Sequence, residues 1–347
     1  MSLSKEKRRE IRQYLLEKID QGQAAAVRKT AEAFGVTPAT VYPYLDALEK
    51  DGVVRKIKRG TYELISQTRS VVLRRSAGEL DSETAVFARY IEETLQDLPA
   101  NVRGIWEYIC GEMINNVIDH SGAEHLEIRI TRNALRTGVC LKDDGVGIFA
   151  KIKAHFGFAT MEETIGELFK GKLTTDAKHH SGEGIFFSSR LADRFMILSD
   201  GSVFTHERFA GDSFRALLRA ADLEADFSAK GTTVYMVLAN DSRKQAKDVF
   251  DVYADMDSGF TKTRIPLRNY FERSPVSRSQ AKSLCARLEQ FENVELDFEG
   301  LEWMGQGFAH ELFAVFQNEH PDVKLIPVNM NDDVRKMYRH VTKEPTE

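Results

Sequence analysis

Cysteine is scarce in this 347-residue chain: Cys110, Cys140 and Cys285 stand far apart, with no C-x-x-C pair. That spacing excludes a disulfide framework or a cysteine-rich zinc site and suits a reducing cytoplasm. The nine histidines show no ligand spacing, and His179-His180 reads as part of a polar loop. No apolar run approaches the roughly 18 residues of a membrane helix, so no span is expected. Met1–Arg12 is charged and has no apolar stretch, which excludes a secretory signal. The phosphate-cradling G-x-x-x-x-G-K-[ST] loop is missing. Internal repeats and long low-complexity tracts are missing too. What remains, 42% hydrophobic and 29% charged, is an ordinary globular composition, long enough for two or three domains.

Charge is uneven. Residues 1–66 hold 13 Lys/Arg against 9 Asp/Glu, and the remainder 35 against 44. A basic head on an acidic body suggests that the head meets a polyanion.

Apolar residues recur with helical period in the head (Ile11, Leu15, Leu16, Ile19), and Gly22 stops that helix. A second short helix near Ala24–Phe34 stops at Gly35. Thr37-Pro38 reads as an N-cap with proline at the first helical position, and the third helix turns Val41, Leu45 and Leu48 inward. Pro43 is expected to kink it, because proline removes the bond to the carbonyl of Ala39. Val53–Ile65 reads as a hairpin turning at Arg59-Gly60. Three helices followed by a basic hairpin resemble a winged helix-turn-helix domain. The resemblance implies DNA as partner, with Thr40 and Tyr42 facing base edges and Arg55, Lys56, Lys58 and Arg59 meeting phosphates. The alternative is a protein-interaction winged helix with solvated charges.

The central segment carries the chemistry. Glu112 and Asn116, in E-M-I-N-N-V-I-D-H-S, sit four apart on an apolar-periodic stretch, so a helix points both the same way. A carboxylate beside an amide can orient a water and hold a cation; taken alone, the pair is more often a solvated helix face. Asp143-Asp144-Gly145-Val146-Gly147 follows an apolar strand, Ser181-Gly182-Glu183-Gly184 leads into a new apolar run, and Lys230-Gly231-Thr232-Thr233 opens a β-branched strand. Strands are expected at 126–131, 138–143, 195–200, 202–208, 213–219 and 232–238, with helices at 83–95, 101–119 and 184–193. This makes an α/β sandwich with helices on one face of a mixed sheet.

The four motifs, in this order, resemble the N box, the D-x-G-x-G and G-x-G boxes and the late G-T strand of the GHKL ATPases, the histidine-kinase, gyrase, Hsp90 and MutL-type ATP-binding domains. The resemblance implies ATP and Mg²⁺ as cofactors. Glu112 would be the general base, and Asn116 the amide ligand to Mg²⁺. Asp143 would accept from the adenine amino group, and the backbone at Gly145 and Gly147 would approach the nucleotide. Gly182 and Gly184 would let helix N–H groups face the phosphates, and Thr232 would close the adenine end. Residues 148–181, with Gly157, Gly166, Gly171 and Thr174-Thr175-Asp176, would be a mobile lid. Lys170 and Lys172 are expected to be solvated rather than on a phosphate, and His120 to be a packing or capping residue.

In the last hundred residues, strands near Lys262–Leu267, Val294–Phe298 and Val323–Pro327 alternate with helices after Ser274-Pro275, over Gly307–Asn318 and over Asp332–His340. Leu296-Asp297-Phe298-Glu299-Gly300-Leu301, then Met304-Gly305-Gln306-Gly307-Phe308, resemble the central strand, loop and helix of STAS domains, and more closely the STAS-like domains of unknown function attached to such ATPases. Anti-anti-sigma STAS proteins carry a phosphorylated serine in this loop; Gly305-Gln306-Gly307 has no hydroxyl.

The expected fold is multidomain: an α+β winged helix over 1–66, a linker over 67–82, a GHKL (Bergerat) α/β sandwich over 83–255 and a small α/β STAS-like domain over 256–347. The expected function is an ATP-binding, ATP-hydrolysing cytoplasmic regulator that binds DNA through its head and meets a protein partner, or a second copy of itself, through its tail. The alternatives are a serine/threonine protein kinase of anti-sigma-factor type acting on a partner protein, and an ATP-sensing interaction module that does not hydrolyse.

Overall fold

The computed structural model describes residues 4–173, 182–209, 212–227, 229–255, 259–271 and 273–342. Ser4 caps α1 (Lys5–Asp20) by accepting from the Lys7 N–H at 3.2 Å. Ile11, Leu15, Leu16 and Ile19 fall on its buried face. α2 (Ala26–Phe34) stops at Gly35, whose φ of 62° is the left-handed conformation that glycine adopts freely. Thr37 stands at the N-cap of α3 (Pro38–Lys50), but its hydroxyl bonds Thr40 Oγ1 at 3.0 Å instead of capping the backbone. Pro43 does not end this helix, which continues to Lys50. β1 (Val54–Lys58) and β2 (Thr61–Leu64) form the antiparallel hairpin. The small core of this head also takes in Leu135 from the central unit, and Asp20 pairs with Arg136.

The central unit starts earlier than its sequence suggests. β3 (Gln67–Arg74), in the segment expected as a linker, pairs along its whole length with a later strand, from Gln67↔Arg132 to Arg74↔His125. Only Leu73 of β3 is fully buried, so an edge strand of this kind reads as polar and irregular. The expected helix over 83–95 is two pieces, α4 (Glu83–Tyr90) and α5 (Glu92–Leu95). α6 (Ala100–Asn115) buries seven apolar side chains, including Trp106 and Ile109, then widens into a π-helical turn over Asn116–Ser121. Arg75 clamps the end of that turn, its guanidinium donating to the carbonyls of Val117 (3.1 Å), Ile118 (3.1 Å) and Ala123 (2.7 Å). The Val117 carbonyl also accepts from the Ser121 hydroxyl at 2.7 Å.

Beyond the turn come β4 (His125–Arg132), β5 (Arg136–Asp143), α7 (Ile148–Phe156), α8 (Met161–Lys170), α9 (Gly184–Leu191), β6 (Arg194–Ser199), β7 (Ser202–Thr205), α10 (Ser213–Ala220) and β8 (Thr232–Ala239). The sheet order is β3-β4-β5-β8-β6-β7, and every pairing is antiparallel, so the sheet is not mixed as expected. The segment 213–219, expected as a strand, is helix α10. Phe214, Leu217 and Leu218 recur at i, i+3, i+4 and pack over Cys140, Met196 and Leu198 on the sheet's other face. Helices therefore lie on both faces. Strand 202–208 ends at Thr205.

α11 (Ala246–Tyr253) and the short pair β9 (Ala254–Asp255) and β10 (Gly259–Phe260) lead to the C-terminal unit. There β11 (Lys262–Pro266), α12 (Leu267–Tyr270), α13 (Arg278–Cys285), β12 (Asn293–Asp297), α14 (Gln306–His310), α15 (Gln317–Glu319), β13 (Lys324–Val328) and α16 (Asp332–Thr342) build a parallel sheet of order β11-β12-β13. Ser277 and Gln280 form a capping box at the start of α13. The core of this unit extends into the central one: Phe186 and Phe187 of α9 pack with Phe260, ring centroids 4.5 and 5.2 Å away. Among the described residues, no helix is long and apolar enough to cross a membrane.

Candidate functional site

A cavity of about 250 Å³ opens between α6, the loop after β5, α7, the end of α8, the start of α9 and strand β8. Glu112, Asn116, Asp143, Gly182, Gly184 and Thr232 all border it, although 120 residues separate the first from the last. The helical spacing that aligns Glu112 and Asn116 survives the π turn, because the Asn116 N–H still reaches the carbonyl of Glu112. The Glu112 carboxylate lies against the first turn of α9: a Cβ at Gly184 would sit 2.1 Å from its Oε2. Glycine at 184 leaves room for the carboxylate to take this position. Gly182, with φ +73°, brings its backbone onto Leu173, and the Leu173 N–H reaches the Gly182 carbonyl at 3.2 Å. No side chain caps α9, and Gly184, Ile185 and Phe186 all border the cavity. Its first amide groups, which have no helical partner, are thus next to the open space.

Asp143 is buried at the cavity wall and accepts from the Gly145 N–H at 2.9 Å. Burial pushes its carboxyl up from 3.8 to about 6, against the pull of the backbone N–H bonds from Gly145 and Thr232. Thr232 Oγ1 accepts from the Ile148 N–H at 3.1 Å, which ties the start of β8 to the start of α7. Ile148, Ile152, Ile197 and Val234 give the same wall an apolar surface.

Gly145 and Gly147 do not border the cavity; Val146 between them does. Their glycine requirement has another cause. A Cβ at Gly145 would lie 2.3 Å from the Ser121 carbonyl oxygen, and one at Gly147 would lie 2.2 Å from Asp200 Oδ2. The loop is pinned by these close approaches to protein atoms and by the Val146 N–H bonded to the Ser121 carbonyl at 2.8 Å. Gly231 serves in the same way, its backbone pressed against the Asp143 carbonyl.

Several residues with structural duties carry no signal in the sequence. Asp144 accepts from the Glu124 and His125 N–H groups at 3.0 and 2.9 Å and fixes the start of β4. Asp200 accepts from the Ala150 N–H at 3.1 Å near the start of α7. Among the described residues Lys151 is the lysine that borders the cavity, its Nζ donating to the His120 carbonyl at 2.6 Å. The periodicity of α7 hides it among ordinary helix lysines. Lys170 is not solvated: it is wholly buried on the far side of α8, paired with Glu167. Lys172 bonds the Gln290 carbonyl at 2.8 Å. Thr174-Thr175-Asp176, His179-His180 and Ser181 lie outside the described residues. What is described of the expected lid, residues 148–173, is two helices packed into the body of the unit.

In the head, Tyr42 is 51% exposed and Lys56, Lys58 and Arg59 are exposed. Arg55 is exposed as well but pairs with Glu63 across the hairpin. The Thr40 hydroxyl is engaged by Thr37. Among the described residues, no group of three His, Cys, Asp or Glu side chains is placed to hold a metal ion.

Residues 280–335 match a family model described as a STAS-like domain of unknown function (DUF4325). The match runs from α13 through β12, α14 and β13 into α16, so the C-terminal unit of this mixed α/β, multidomain chain is a STAS-like domain. No curated protein matches the chain.

Proposed function

We propose that this chain is a cytoplasmic ATP-binding, ATP-hydrolysing regulator, with a GHKL-type nucleotide site in the central unit, a winged helix for DNA at its head and a STAS-like domain at its tail. The observation that carries the reading is the convergence of Glu112, Asn116, Asp143, Gly182, Gly184 and Thr232 on one cavity. The donor set fits the cofactors. Asp143 is a buried acceptor beside an apolar wall, as an adenine amino group requires, and the uncapped start of α9 suits phosphate. Mg²⁺ takes oxygen ligands and keeps several waters, so Asn116 with phosphate oxygens suffices. ATP and Mg²⁺ would supply the phosphoanhydride bond and the neutralisation of its charge. Glu112 would accept a proton from a water positioned in the cavity, Asn116 would hold the metal through its side-chain oxygen, and the first turn of α9 would hold the phosphates. Incubating the full chain with Mg²⁺ and γ-labelled ATP tests the reading. Free phosphate supports it, labelled protein favours the kinase, and neither favours a pure sensor.

Nucleotide choice and pH share one cause. A site built around a buried acceptor rejects analogues lacking the donor, by about 10⁴ in favourable cases, so ATP is expected to bind far better than GTP. In the free protein Asp143 is half-protonated near pH 6. Its folded value lies above its ordinary one, so the folded chain holds a proton that the unfolded chain has released between about pH 4 and 6. Stability from this group falls as pH rises through that window. A donated hydrogen bond favours the carboxylate, so ATP affinity should weaken by about tenfold from pH 7.5 to pH 5, and Asp143→Asn should abolish that dependence. Calorimetry with both nucleotides at both pH values checks it. Equal affinity for ATP and GTP removes Asp143 from this role.

For the head, changing Lys56 and Lys58 to Ala is expected to weaken DNA binding for all sequences and to lower the salt slope by about one unit for each phosphate left without its lysine. Changing Tyr42 should shift sequence preference instead. Anisotropy titrations of the full chain at low and moderate salt read both effects. No binding at low salt favours a protein-interaction role for the head.

A further inference from the structure

We propose that the cleft between α9, the segment after β7 and the carboxyl ends of β11 and β12 is a second ligand site, which takes a small, multiply charged oxyanion. The cleft has a volume of about 480 Å³ and is lined by Arg190, His206, Arg208 and Arg264, with Asp297 and Glu299 the carboxylates present. That volume falls in the usual range of small-molecule sites, roughly 300–1,000 Å³. Its position also fits, since open sheets of parallel strands bind ligands beyond their carboxyl ends.

Three arginines face two lining carboxylates, which are committed or peripheral; Arg264 is also matched from outside the cleft by Glu295 at 3.0 Å, so Arg190 and Arg208 carry the excess. Asp297 already accepts from Arg264 Nη2 (2.7 Å), Asn329 Nδ2 (2.9 Å) and the Glu299 N–H (3.0 Å). Glu299 is exposed. Arg208 Nη2 donates to the Glu299 carbonyl at 2.9 Å, a bond that uses a neutral acceptor and leaves the charge unmatched. These contacts give Arg208 and Arg264 a part in joining the two units.

They do not account for Arg190. Its guanidinium lies 3.3 Å from the centroid of the Phe186 ring and donates to the carbonyls of Phe186 (3.0 Å) and Arg264 (3.2 Å). Its other side-chain partner is Tyr253, a neutral phenol that also lines the cleft; among the described residues no carboxylate pairs with it. Burial drags this guanidinium down to about 10, and burial with the Arg190 charge pushes the neighbouring His206 down to about 3. A half-buried guanidinium with no carboxylate beside it is incompletely neutralised, and an anion in the cleft supplies the missing charge. Guanidinium forks hold phosphate or carboxylate oxygens in pairs, which defines the ligand chemistry.

Calorimetric titration of the full chain with pyrophosphate and with citrate, in a phosphate-free buffer, tests the site and separates the two anion sources. Saturable binding of at least one is expected. Arg208→Ala, an exposed position, should raise its Kd by about tenfold or more, and Arg190→Gln should do so more strongly. Thermal melts monitor folding of each variant. Pyrophosphate could also enter the cavity beside Glu112, so the titrations are repeated with that cavity occupied by an unhydrolysable ATP analogue; the Arg208→Ala difference should persist. The absence of saturable binding of either probe to the unaltered chain, or equal affinity for it and for Arg208→Ala, overturns the proposal.

Discussion

Replacing Glu112 by alanine is expected to leave ATP binding in place and to slow phosphate release by roughly 10²–10⁴, the usual worth of a general base. The expectation rests on where the carboxylate is held. Glu112 borders the cavity from α6, and its carboxylate lies against Gly184 at the start of α9. The uncapped first turn of α9 opens onto the same space. Asn116, one turn further on and across the onset of the π turn, should behave differently. Asn116→Ala removes a metal ligand rather than a base, so Mg²⁺-dependent binding should weaken. Phosphate release at saturating ATP, paired with direct binding measurements, separates the two. Unchanged release in Glu112→Ala would end the assignment.

Replacing Glu167 by alanine is expected to destabilise the fold by about 3–5 kcal/mol, the cost of leaving buried charges without their partner. Glu167 and Lys170 are both fully buried on α8. Glu167 accepts from Lys170 and from Arg287 Nη1 at 3.1 Å, while Lys170 Nζ also donates to the Ala286 carbonyl at 2.8 Å. Burial pulls the Lys170 ammonium below its ordinary value, and the Glu167 charge opposes that pull. The Thr263 hydroxyl donates to the Lys170 carbonyl at 2.7 Å, so the end of α8 is fastened to the C-terminal unit from two sides. The other side of α8 borders the cavity through Leu168, and Gly171 and Leu173 follow it there. Melting temperature should fall by on the order of 10 °C. The double change Glu167→Leu with Lys170→Met should recover part of the loss, because a packed apolar pair avoids the cost of desolvating two ions, while Arg287 still lacks its carboxylate. An unchanged melting temperature in Glu167→Ala would show that these charges are reached by solvent.

Lys170 marks where sequence reading stops. In the sequence it is one of two lysines beside Gly171 in a segment that reads as a mobile cover. Its carbonyl partners on Ser283 and Ala286, and the Arg287 that shares its partner Glu167, come from more than a hundred residues away. β3 is hidden for a related reason: a strand with a single buried side chain has no alternating pattern to read, and only its pairing with β4 reveals it. α10 is different, because its signal is present. Its i, i+3, i+4 pattern is helical, but its place in a series of strands suggests another strand.

By itself the sequence determined what depends on near neighbours. The four-residue spacing of Glu112 and Asn116 sets their common direction, because a helix turns every 3.6 residues. Gly22 and Gly35 end helices because only a residue without a Cβ adopts the left-handed conformation at little cost. The strand and helix order of the STAS-like domain follows from its alternating apolar runs. The tertiary structure alone decided what depends on distant chain. It brought Asp143, Thr232 and Gly184 to the cavity of Glu112, and it raised the Asp143 carboxyl to about 6 by excluding water. It set Gly145 against Ser121 rather than against open space, and it left Arg190 half-buried on a cleft it shares with two other arginines. The physical reason is common to all of these. Solvation and close approach are fixed by which surfaces pack together, and a linear pattern carries the periodicity of a surface but not the identity of the surface that meets it.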